Sequence, residues 1–165
     1  MHPLDRPVWS ALTTRQAALA QGDSRAVRLA PEYGVFAAAA DASPEALAAL
    51  AALVPTDGGV ALVEAHAQPI VPGALAAAPV ALWQMVADAL TPAPAPGFDI
   101  IPLSEADAPQ MLALARLTQP GPFFSRTHEL GDFVGVKVDG VLVAMAGERM
   151  KPAGFTEVSG VCTHS

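Results

Sequence analysis

Apolar residues recur at helical spacing in three stretches of this chain and form short continuous or alternating runs in several others. Across residues 9–21, Trp9, Leu12, Ala17 and Leu19 fall near one helical face, and Gly22 offers a stop. Ser43-Pro44-Glu45 predicts a helix start, because serine caps, proline fits the first turn and glutamate suits the dipole. That helix should reach about Val54, before Pro55. Ser104 should cap a third helix over residues 105–117, with Ala108, Met111, Leu112 and Ala115 on one face. Pro120-Gly121-Pro122 breaks it, and residues 123–130 read as a short helix or loop. Strands are expected at residues 26–29, 34–39, 60–65, 81–86, 99–103, 133–138, 141–150 and 155–163. Between two of these, Asp139-Gly140 separates apolar runs, a strong hairpin signal.

The segment Thr91-Pro-Ala-Pro-Ala-Pro-Gly97 alternates proline with alanine. Such a segment favours extended geometry and acts as a stiff spacer. It is expected to divide the chain into a small α/β domain at residues 1–90 and a second domain at residues 98–165. The fold class is therefore mixed α/β, with the order β-α-α-β-β-β after the linker.

Composition narrows the function. At 52% hydrophobic and 15% charged, the chain can build a core. Trp9 and Trp83 are the expected aromatic anchors. The net charge of -7 has no basic cluster, which disfavours nucleic acid and anionic membrane as partners. The single cysteine, Cys162, excludes an internal disulfide or a cysteine-based zinc site. Cys162 and His164 lack a third partner in the sequence and are read as structural; no metal is expected. The early charges Asp5 and Arg6 leave no signal-peptide core, and no run is long enough to span a bilayer. A cytoplasmic location is expected, and the Ala/Pro/Arg-rich, Lys-poor composition suggests a bacterial source.

From residue 133 onward the chain resembles a known family. Phe133-Val-Gly-Val-Lys-Val-Asp-Gly-Val-Leu-Val-Ala-Met-Ala-Gly-Glu-Arg-Met150 looks like the second and third strands of the GNAT N-acetyltransferases, and Phe155-Thr-Glu-Val-Ser-Gly-Val-Cys-Thr-His164 like the fourth. The resemblance covers residues 98–165. It is best with bacterial members in which a degenerate domain precedes the catalytic one.

The resemblance implies acetyl transfer from acetyl-CoA to a primary amine, small molecule or peptide. Glu157 matches the general base of some members; a carboxylate on a half-buried strand is suited to accept a proton, directly or through water. Val161, Cys162 and Thr163 match the bulged stretch whose backbone binds the pantetheine arm and polarises the thioester carbonyl. Phe123, Phe124, Arg126 and His128 match the wall of the acceptor site. The family's pyrophosphate loop would begin at about Ser165, so the 165 residues are expected to be C-terminally incomplete and inactive alone. An exposed last strand would then favour self-association. The alternative is a non-catalytic binding or assembly module derived from an acetyltransferase.

Overall fold

A computed structural model of the protein describes residues 2–92 and 94–164. Ala93, inside the expected linker, and Ser165, where the family's loop would begin, lie outside the described residues. The architecture is mixed α/β with two antiparallel sheets. The first half supplies α1 (Pro7–Leu12), β1 (Ala20–Gly22), β2 (Ala26–Leu29), β3 (Ala37–Ala39) and α2 (Pro44–Leu53). The second supplies β4 (Ile101–Pro102), α3 (Ala108–Thr118), β5 (Phe133–Val138), β6 (Val141–Glu148) and β7 (Val158–Thr163). The sheets run β1-β2-β3 and β4-β5-β6-β7.

Most expected elements form, with shifted ends. The helix expected over residues 9–21 stops at Leu12. Thr13 and Thr14 explain this: their hydroxyls donate to the carbonyls of Trp9 and Ser10, competing with helix continuation. The chain then makes a 3-10 turn at Ala17–Leu19 and enters β1. Ser43 caps α2 as expected, its hydroxyl accepting from the Ala46 amide at 3.2 Å. The strand expected at residues 60–65 reduces to one bridge between Phe36 and Ala61. Beyond it the chain is drawn to the N-terminal segment, where the Ala65 amide donates to Asp5 and Glu64 pairs with Arg6 at 2.7 Å.

The strand expected at residues 81–86 does not form, and Trp83 is 95% exposed and anchors no core. A strand needs a bonded neighbour. Gln84 donates its side-chain amide to the Leu4 carbonyl there.

Three clusters make the core. Alanines 26, 37, 39 and 46 pack with Leu47 and Leu50, so α2 lies close on the first sheet. Met111, Leu114 and Ala115 of α3 cover Phe133, Leu142, Met145 and Cys162. The third cluster spans the chain: Val8, Leu12, Leu29, Tyr33 and Phe36 meet Leu130 and Met150. Buried Gln16 reinforces this junction. Its amide donates to the carbonyls of Leu130 (3.1 Å) and Arg149 (2.8 Å) and accepts from the Lys151 amide (3.0 Å).

Asp107, ahead of α3, accepts from Lys137 of β5 and from the Ser104 amide and hydroxyl. These bonds, the Lys137 ammonium first, lower its carboxyl to about 2. A lowered folded value adds stability above the unfolded value of 3.8, and that gain disappears as pH falls through about 2. Asp107→Asn should therefore melt below wild type at pH 6, and melting curves should converge near pH 2. Gln16→Ala strands two carbonyls and an amide, and should cost about 2–3 kcal/mol in urea denaturation.

Candidate active site

The site grows out of the β5–β6 hairpin. Asp139 (φ 50°) and Gly140 (φ 81°) are both left-handed, as a tight two-residue turn requires. That turn sets the register in which Phe133 faces Gly147. A Cβ at position 147 would fall inside the Phe133 ring, so glycine lets the ring lie flat across the strand. Phe123 then meets Phe133 edge-on, with centroids 5.8 Å apart at 83°.

These rings border a small, open pocket. Pro120, Pro122, Phe123 and Phe133 form its apolar side, while Arg149 and Ser159 supply polar groups. Arg149 sits over the Phe36 ring, its guanidinium carbon 4.7 Å from the centroid. It forks onto Glu157, with Nη2 to Oε1 at 2.6 Å and Nε to Oε2 at 3.1 Å. The Met150 amide also donates to Glu157 Oε2 at 3.3 Å. The Arg149 side chain is 20% exposed and that of Glu157 36%.

β7 is irregular. Ser159 pairs with Gly147 and Cys162 with Met145, so Gly160 and Val161 together oppose Ala146 alone. This is a β-bulge, and Gly160 takes a φ of 64° within it. Among the described residues β7 has β6 on one edge and no strand on the other. Alternate backbone groups of such an edge point outward and are open to a new partner.

No family model matches the chain, and neither does any curated protein. A solved structure does. It is a protein of Novosphingobium aromaticivorans DSM 12444 assigned to the acetyltransferases of the GNAT family. It is 42% identical, with a TM-score of 0.76, over 99% of this chain and 72% of that one. The chain belongs to the GNAT family. It is thus an acetyltransferase-family enzyme with the mixed α/β fold expected from its sequence.

In this GNAT chain the bulge lies at Gly160–Val161, and the stretch 161–163 follows it. Val161 and Thr163 are exposed, while Cys162 points into the α3 core as a free thiol. Glu157 lies just before β7. Its backbone still bonds β6's continuation, donating to Met150 at 2.8 Å and accepting from Arg149 at 3.1 Å.

Of the four residues expected to wall the acceptor site, Phe123 alone lines the pocket. Phe124 instead donates its amide to Thr127. Arg126 is held elsewhere: it forks onto Glu129 at 2.6 Å through both nitrogens and stacks 4.6 Å over Tyr33. The Glu129 carboxylate raises its already high pKa further. His128 is buried, with Nε2 bonded to Glu105 at 2.7 Å. Glu105, His128 and Glu129 bring ligand atoms within 4.8 Å of one another, but Arg126 already holds both Glu129 oxygens with a positive charge. A cation there would meet that charge directly.

Sequence reasoning missed Arg149, Phe133 and Ser159. The strand register carried the signal, since alternation from Gly147, the partner of Ser159, puts Arg149 on the same face as Ser159 and Glu157. Gly147→Ala should destabilise the fold by about 1–3 kcal/mol through overpacking on Phe133. Chemical denaturation measures that cost, and fluorine labels on the phenylalanines should report a displaced Phe133.

Proposed function

We propose that this enzyme transfers an acetyl group from acetyl-CoA to a primary amine, with Glu157 as general base. The observation that carries the proposal is the bulge at Gly160–Val161 on an open strand edge, next to a pocket that ends at Arg149 and Ser159. An amide-bearing arm laid along β7 would act as an added strand, bonded by outward backbone groups at 161–163. Val161 and Thr163 present exposed side chains there, and Cys162 anchors the strand in the core.

When bound, the thioester supplies the electrophilic carbonyl carbon. Outward amides of residues 161–163 polarise that carbonyl. The pocket holds the acceptor so that its nitrogen approaches the bulge. Glu157 takes one proton from the attacking amine. The new nitrogen–carbon bond forms as the carbon–sulfur bond breaks, and the departing thiolate takes its proton from solvent.

No helix among the described residues is long and apolar enough to cross a membrane.

Glu157→Gln should lower turnover about 10²–10⁴-fold, the usual range for a general base. Calorimetry should find acetyl-CoA affinity unchanged in that variant. Full turnover by the glutamine variant would falsify the role of Glu157, and absence of saturable acetyl-CoA binding would remove the role of the bulged strand.

A further inference from the structure

The Arg149–Glu157 pair sits where an acceptor must be recognised, and its form indicates what that acceptor is. The Arg149 guanidinium lines the polar end of an apolar pocket, and the Glu157 carboxylate lies side by side with it. Together they complement a carboxylate and an ammonium on adjacent atoms. We propose that the acceptor is an α-amino acid with an apolar side chain. This rests on the reading of Glu157 as the base.

On this proposal the substrate carboxylate docks on Arg149 and the substrate ammonium on Glu157. The apolar side chain enters among Pro120, Pro122, Phe123 and Phe133.

Three observations favour this class, the first two over a simple amine and the third over an acidic acceptor. First, Arg149 is oriented from outside the pocket: Phe36 supports its guanidinium, and Gln16 holds its backbone carbonyl. A planar, fixed guanidinium suits bidentate carboxylate recognition. Second, both oxygens of Glu157 are engaged by Arg149. A ligand carboxylate that takes over Arg149 frees Glu157 to accept the amine's proton. A bare amine offers Arg149 no replacement partner. Third, the chain carries a net charge of -7, which repels anionic acceptors but not a neutral zwitterion.

The test is a binding panel followed by calorimetry or ligand-observed NMR, using L-phenylalanine, L-phenylalaninamide and 2-phenylethylamine. The acid should bind at least about 10-fold tighter than either analogue, matching the cost of leaving a charged partner unpaired. L-Aspartate should bind more weakly than L-phenylalanine. Arg149→Met should bring acid and amide within about twofold, while Arg149→Lys should keep part of the preference. Equal binding of acid and amide by wild type overturns the proposal, as does failure of all three to bind. Should the methionine variant fail to fold, the wild-type panel and the lysine variant decide.

Glu157→Gln separates this inference from the one beneath it. Lost turnover with retained acid preference supports both. Lost turnover of simple amines without any acid preference removes the amino-acid assignment alone. Intact turnover with acid preference removes the base assignment alone and leaves Arg149 as the carboxylate site.

Discussion

Gln16 carries a side-chain amide into a place where three backbone groups would otherwise be unpaired. It reaches the Leu130 and Arg149 carbonyls and the Lys151 amide, which lie before β5 and after β6. The contact works because Thr13 and Thr14 end α1 early and turn the chain inward at Gln16. Apolar packing closes around it, with Leu130 and Met150 among Val8, Leu12 and Phe36. The same contact fixes the backbone of Arg149, while Phe36 fixes its guanidinium. The geometry of the pocket's polar end is therefore set by residues of the first half of the chain. This gives the first half a physical part in the chemistry without any reacting group of its own.

Much of the second half was legible. The Asp139-Gly140 turn, the runs on either side and the helical run of α3 all follow from local rules, as does the Ser43 cap in the first half, because local bonds and periodicity decide them. Leu112 shows the limit: the third helix forms, but Leu114 rather than Leu112 is buried, so its facing is set by the sheet it covers. The end of α1 was misjudged because threonine hydroxyls compete with the helix only once the chain can turn toward a partner such as Leu130. Residues 81–86 alternate like a strand, yet a pattern cannot supply the neighbour that a strand requires.

The site was legible in its backbone and obscure in its side chains. Residues 157 and 161–163 lie beside or on β7, a strand that the sequence pattern already places. Arg126 and His128 are expected at the acceptor wall from the family resemblance of their segment, but a 3-10 turn at Thr127–Leu130 directs them to other partners, Tyr33 and Glu129 for the first and Glu105 for the second. Arg149 was missed because its relation to Glu157 and Phe36 crosses the chain. Such relations depend on register and packing, which a single sequence does not display.

Two ion pairs differ in how readily a ligand could exchange into them. Arg6–Glu64 is 13% and 6% exposed, and Arg6 also donates to the carbonyls of Ala39 and Ala40. Separating it would strand a buried charge and several bonds at once, so it is a fixed joint. Arg149–Glu157 is more open, at 20% and 36%, and borders a pocket. Half-exposed pairs are worth about 0–1 kcal/mol, because water competes for both partners. A ligand that replaces each partner can therefore exchange into this pair at little net cost. Equal geometry with different burial makes the first pair architecture and the second an acceptor for charge.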